Sequence, residues 1–153
     1  MRVQLRLSYE MNRQLQNDSG LSLADYDVLN ALRYSPDDAM QITGLAARIG
    51  WERSRLSHHA RRMSARGLVT CDVPASDRRA TEVRLTEQGW QAITDASEGH
   101  IDLVRRLFFG GLPADQLAAA TAALEAVYEN LVEHGSLPAP AETTRASRPG
   151  ASD

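Results

Sequence analysis

The stretch from Trp51 to Thr86, WERSRLSHHARRMSARGLVTCDVPASDRRATEVRLT, constrains the fold more than any other part of the chain. Its pattern predicts a helix from about Ser54 to Arg66 that Arg66-Gly67 ends, then a short strand from Leu68 to Val73. A polar turn from Pro74 to Arg79 follows, and a returning strand from Thr81 to Leu85. Placed at about 100° per residue, the helix separates into two faces. Leu56, Ala60 and Met63 fall on one side, and Ser54, His58, Arg61 and Ala65 on the other. Arg55 and Arg62 lie at one edge of that outer face and Ser57 at the other. His59 falls between the faces, as a partly buried packing residue.

A helix that packs on one side and turns serines, a histidine and arginines outward has the form that enters a DNA major groove. There Arg reads guanine and Ser reads either base. For a lone basic helix a solvated face is the plain alternative, and the ribbon that follows tips the balance. Between Arg48 and Arg84 there are nine arginines against four acids, a local charge of +5 in a chain whose net charge is −3. The remainder holds eight of the 17 basic residues and 16 of the 20 acids, hence −8. An acidic chain that concentrates positive charge in one quarter of its length reserves that quarter for a polyanion.

These residues carry a family resemblance. The run from Leu45 to Gly89, with SRLSHHARRMSARGLV and then SDRRATEVRLTEQG, resembles the MarR (multiple antibiotic resistance regulator) family of winged helix-turn-helix regulators. The wing signature of that family is an Asp, any residue, an Arg, a spacer, an apolar-x-Leu-Thr strand end and a Gly three residues on. Here these are Asp77, Arg79, Val83, Leu85, Thr86 and Gly89. With family-like helices on both sides, the resemblance covers roughly residues 5 to 133. The fold it implies is mostly α with a small β-wing. A winged helix-turn-helix over about 22–86 would be flanked by dimerisation helices over about 1–17 and 87–134, making one domain of residues 1–134.

The rest of the chain fits this plan. Val3, Leu7, Met11 and Leu15 recur at spacings of four and predict an amphipathic first helix over 2–17. Ser22 with Asp25 is a capping-box pattern opening a second helix, in which Leu23, Tyr26, Leu29 and Leu32 face inward until Ser35-Pro36-Asp37-Asp38 breaks it. Ile42 is expected to form a short strand beside the wing, and Thr43 to cap a third helix in which Leu45, Ala46 and Ile49 pack inward before Gly50. Trp51 reads as a core plug under the turn to the fourth helix. Thr86 closes the ribbon and caps a long helix, of about 22 residues, in which Trp90, Ile93, Ile101, Val104, Leu107 and Phe108 recur at helical spacing to Phe109. After Gly110-Gly111 and Pro113, a last helix carries Leu117, Leu124, Val127, Tyr128 and Leu131 to about His134. One copy alone would leave these apolar stripes partly exposed, so a homodimer is expected. Residues 135–153 hold three of the six prolines and almost no large apolar residue, the composition of a disordered tail.

Composition bounds the remaining functions. No apolar run approaches a membrane span and the N-terminus has no signal-peptide core, so no membrane partner is expected and the expected address is cytoplasmic. The single cysteine, Cys71, excludes an internal disulfide and a multi-cysteine metal site, and reads as a structural thiol. His58 and His59 point about 100° apart on a helix and do not converge on one ion, so no metal is expected. No nucleophile–base pair or glycine-rich phosphate loop appears, which leaves no enzyme and no cofactor.

The reading residues are then Arg55, His58 and Arg62 in the major groove, with Ser54, Ser57 and Arg61 sharing base and phosphate contacts. The resemblance implies Arg79 in the minor groove at the wing tip, held by Asp77, with Arg78 as a weaker phosphate contact. A symmetric dimer implies double-stranded DNA with a pseudo-palindromic operator, and the resemblance implies a repressor released by a small aromatic or anionic effector. The residues leave the effector pocket open; Tyr9, Arg13 and Tyr26 are candidates, with a core position the plainer reading of both tyrosines. The alternative function is a winged-helix protein-interaction module whose arginines meet an acidic partner.

Overall fold

The computed structural model describes residues 1–73 and 80–140. The turn from Pro74 to Arg79, with Asp77, Arg78 and Arg79, lies outside the described residues, as do residues 141–153 of the tail. Residues 135–140 contain neither helix nor strand. The chain forms two compact units, one of Met1–Ala24 with Thr94–Ala139, the other centred on Asp25–Ile93.

In the first unit, α1 (Arg2–Ser19) ends at Gly20, whose φ of 68° is the left-handed turn that lets its N–H reach the Gln16 carbonyl. Of the four expected inward residues only Leu15 is fully buried, and Val3 is exposed. α5 (Glu87–Val104) enters this unit at Thr94 and continues as one π-helical stretch, Arg105–Phe109. α6 (Ala114–His134) follows Pro113. His100 is buried, its Nδ1 3.2 Å from Gln14 Oε1, and burial pushes its pKa below the ordinary histidine value. The apolar residues of α6 remain exposed, among them Leu124 and Leu131, as do Ile101 and Leu107.

The second unit begins with α2 (Leu23–Arg33), whose Tyr26, Val28, Leu29 and Leu32 are buried. A 3-10 turn at Pro36–Asp38 breaks it, with Asp37 and Asp38 at positive φ, a conformation that a short polar side chain tolerates. β1 (Ala39–Gln41), β2 (Val69–Asp72) and β3 (Glu82–Leu85) make an antiparallel sheet in the order β1-β3-β2. Met40 and Cys71 both pair with Val83, which is fully buried. The strand expected at Ile42 therefore lies just before it. Ile42 opens α3 (Ile42–Ile49), and its N–H donates to the Thr81 carbonyl (2.8 Å), so Gln41 rather than Thr43 occupies the cap position. Gly50, at φ 71°, turns the chain into α4 (Arg53–Ala65), which packs on α3 and β2 through Leu56, Ala60 and Met63. These three are the inward residues that periodicity predicts.

The junction of ribbon and long helix is closely built. The Thr86 hydroxyl accepts from the Gly89 N–H (2.9 Å) and donates to the Gly67 carbonyl (2.6 Å), the capping role expected of it. Gly89 is required for a different reason: a Cβ there would collide with the Leu68 backbone carbonyl, which cannot swing aside.

Asp25 ties α2 to α4. It is 2% exposed, its Oδ2 accepts from Arg66 Nη1 (2.8 Å) and its Oδ1 faces His59 Nε2 (3.1 Å). The acid three residues after Ser22 thus serves a tertiary pairing with residues 34 and 41 positions further on.

Three variants test these contacts by their stability. Gly89→Ala should lower unfolding stability by about 1–3 kcal/mol, since the Leu68 carbonyl leaves no room for a methyl group; an unchanged thermal midpoint would contradict the packing at this junction. Asp25→Ala should cost about 2–4 kcal/mol in urea unfolding, because it leaves a buried imidazole without its carboxylate. Arg66→Ala should cost about 1 kcal/mol or less, since Arg66 is 45% exposed and its charge is screened by water.

Candidate nucleic-acid interface

The outward face of α4 is the one the sequence predicts. With Leu56, Ala60 and Met63 buried, Ser54, Arg55, His58, Arg61 and Arg62 are exposed and Ser57 is half-buried. Three of these six side chains are arginines. His58 and His59 diverge as expected, His58 outward and His59 to 8% exposure.

The site also contains residues that sequence reasoning assigned elsewhere. Arg62 Nη2 donates to His59 Nδ1 (3.1 Å), and His59 Nε2 faces Asp25. Because a guanidinium only donates, Nδ1 acts as the acceptor, while Nε2 lies 3.1 Å from Asp25 Oδ1 without hydrogen-bond geometry. A buried acid thus stands against an imidazole that accepts a hydrogen bond from an exposed arginine. Trp51 is not the buried plug expected. It is half-buried, with the Arg55 Cζ 3.9 Å from its ring centroid and the His59 ring edge-on at 5.4 Å. The spacing of Trp51, Arg55 and His59, four residues apart in turn, was the signal that could have revealed this stripe.

Arg55 also acts on Asp27. Burial raises the Asp27 carboxyl above the usual carboxylate range, and the Arg55 charge opposes that shift. Asp27, Asn30 and Ala31 of α2, with Arg48 and Ile49 of α3, line an open cleft of about 330 Å³. The Cys71 thiol is half-buried; burial, with Asp72 adding to it and Arg61 opposing it, raises its pKa, which suits a structural thiol.

Not every arginine of the basic quarter is available to a ligand. Arg66 is committed to Asp25, and Arg84 donates to the Asp37 carbonyl (2.7 Å) and to Glu82 (2.8 Å). The charge count therefore overstates the positive surface. Of the tyrosines considered for an effector pocket, Tyr26 is core, whereas Tyr9 is 65% exposed, so the core reading fails for Tyr9. Arg13 lies at the limit of an exposed ion pair with Glu10, at 4.0 Å. Among the described residues no cluster of His, Cys, Asp or Glu could hold a metal, and no helix is long and apolar enough to cross a membrane.

Residues 19–80 match the MarR family. The chain is similar to Sco3205, a MarR family transcriptional regulator from Streptomyces coelicolor solved in complex with DNA. The two share 31% identity over 90% of this chain and 87% of that one, with a TM-score of 0.84. It is similar also to AbsC, a MarR family transcriptional regulator from the same organism, at 33% identity over 85% and 87% of the two chains and a TM-score of 0.79. CouR from Rhodococcus jostii RHA1, solved bound to p-coumaroyl-CoA, matches at 25% identity over 82% and 86%, with a TM-score of 0.69. With identity of this order spanning nearly the whole of both chains, this protein belongs to the MarR family of transcriptional regulators.

Proposed function

We propose that the chain acts in the cytoplasm as a homodimeric repressor that binds a pseudo-palindromic operator and is released by a small effector. The observation that carries this reading is α4 itself, a helix buried through Leu56, Ala60 and Met63 that turns Arg55, His58, Arg61 and Arg62 to solvent. Arg55, His58 and Arg62 take the base edges of the major groove, and Ser54, Ser57 and Arg61 share base and phosphate contacts. At the wing, by resemblance to the family, Arg79 enters the minor groove where a narrow A·T tract deepens the negative potential. Asp77 holds the Arg79 guanidinium by a bidentate pair, and Arg78 contacts phosphate.

The dimer is supported by the apolar face that a single copy leaves in water. Leu124, Val127, Tyr128 and Leu131 of α6 are each more than half exposed. An apolar cavity of about 320 Å³ opens on the same helix, lined by Phe108, Phe109, Leu117, Leu124 and Tyr128 among others. A face of this kind marks an interface in a soluble protein. Two copies related by a two-fold axis carry two reading helices, which sets half-sites about one helical turn (~10 bp) apart. The effector is a small aromatic or anionic molecule, a reading supported by the p-coumaroyl-CoA bound to CouR. It releases DNA by binding the DNA-incompetent geometry more tightly.

Selection of duplexes from a random library should return a pseudo-palindrome. Against it, Arg55→Ala and Arg62→Ala should each weaken binding by about 1–3 kcal/mol where a base contact is lost, with relaxed preference at that position. Retention of full affinity by both variants across a salt titration would remove the site assignment. Equal binding of random and selected duplexes, together with a stable complex with an acidic protein, would favour the interaction-module reading instead. Light scattering should give twice the 16.8 kDa chain mass. Leu124→Arg combined with Leu131→Arg should yield monomers that lose the operator, and a parent protein that is monomeric at micromolar concentration would exclude the dimer.

A further inference from the structure

Trp51 and His59 have no role in the base and phosphate contacts assigned above, yet each touches a residue that does. Arg55 lies over the Trp51 indole at 3.9 Å, and Arg62 donates to His59 Nδ1 at 3.1 Å. The two rings are themselves in contact, edge to face, at 5.4 Å and 77°. Arg55, Trp51, His59 and Arg62 therefore form one unbroken chain of contacts at the start of α4 and along it, and Asp25 lies against the imidazole from behind.

The physical consequence depends on how each guanidinium is held. Stacking on an indole uses the face of the guanidinium and leaves its in-plane N–H groups free to donate. Arg55 can thus be restrained without losing the fork that recognises guanine or phosphate. Arg62 gives one donor to His59 and keeps the others. Neither contact is the ion pair with a carboxylate that would neutralise the arginine, and neither ring carries an anion to compete with DNA. Asp27 is the acid that acts on Arg55, and burial disfavours its charged form.

We propose that Trp51 and His59 form a single platform that holds Arg55 and Arg62 in reading geometry before DNA arrives, making both rings positioning residues for the arginines. The inference rests on α4 being the DNA-reading helix. It makes Trp51 a determinant of affinity although it contacts no base.

The test is a pair of double-mutant cycles, read by fluorescence anisotropy on a duplex selected by the parent protein from a random library. Trp51→Ala should weaken binding on the order of tenfold in the parent background, but about twofold or less when Arg55 is already alanine. Trp51→Phe, which keeps an aromatic face, should recover most of the loss. For the second pair, His59→Gln should weaken binding in the parent but not in the Arg62→Ala background, with thermal melts confirming that each variant is folded. Equal losses in both backgrounds, in either pair, would reduce the ring concerned to a packing residue and overturn the shared platform. Tighter binding by Trp51→Ala would overturn it too, by showing that the indole holds Arg55 away from DNA. These outcomes leave the reading helix standing. Parent-like binding by both Arg55→Ala and Arg62→Ala would remove the reading helix and the platform together.

Discussion

The arrangement of the reading helix depends on one buried carboxylate. Asp25 is almost wholly removed from water, and a charge in that position is tolerated only when donors surround it. Its partners are His59, in the middle of α4, and Arg66, just past the end of that helix. They are seven residues apart, close to two helical turns, so both lie on the same side of the helix. Two anchors on one side fix the rotation of α4 about its axis as well as its position along it. The apolar contacts of Leu56, Ala60 and Met63 supply most of the burial, but apolar packing tolerates small rotations that the directional Arg66–Asp25 hydrogen bond does not. A rotation of about 10° would shift the tips of Arg55 and Arg62 by about 1–2 Å, the scale on which a hydrogen bond is lost, so the acid on α2 serves their placement as well as stability.

The same acid acts on the exposed surface through His59. A free arginine side chain carries about 2 kcal/mol of rotamer entropy that is lost when it is immobilised on a ligand. Side chains already restrained in the unbound protein lose less, and the difference appears as affinity. The surface of α4 is thus unlike a solvated basic helix, in which each arginine would sample its rotamers independently. Two of its arginines lie against rings, and one of those rings, His59, is itself buried beside Asp25. Arg66 and Arg84 show the contrasting use of the same residue type, as internal donors spent on Asp25, Glu82 and the Asp37 carbonyl.

What the sequence made legible and what it hid divide along one line, the range of the interaction. The buried face of α4, the Thr86 cap and the breaks at Gly50 and Pro36 follow from neighbours a few residues away, and these are the features that periodicity and turn chemistry predict. Asp25 stands three residues after Ser22, the spacing of a capping box, but its pairing with His59 and Arg66 reaches 34 and 41 residues on, and no local pattern encodes it. Ile42 looked like a strand because it is β-branched and apolar, but a three-residue strand exists only where a partner offers its edge, and β3 pairs with residues 39–41. Gly89 was visible as part of a motif, while the reason for it, the nearby Leu68 carbonyl, needed coordinates. Trp51 was the avoidable misreading. Its spacing of four from Arg55 allowed a stacked pair, but burial is the commoner fate of tryptophan and was read first.

Ligand control of such a protein meets a further constraint. α2 begins at Leu23 in the first unit and continues beyond Asp25 in the second, while α5 begins at Glu87 in the second and crosses into the first at Thr94. Both are also fastened close to the reading helix, α2 by Asp25 and α5 by Thr86, whose hydroxyl grips the Gly67 and Leu68 carbonyls just after α4. A ligand that acts on the Asp25 or the Thr86 contact therefore acts close to the middle or the C-terminal end of the helix that presents Arg55 and Arg62. For binding there to change DNA affinity, the two geometries of that segment must differ in ligand affinity. The same anchors that hold the reading helix in one orientation are then what convert a small displacement of α2 or α5 into a displacement of the arginines, since a loosely held helix would absorb it.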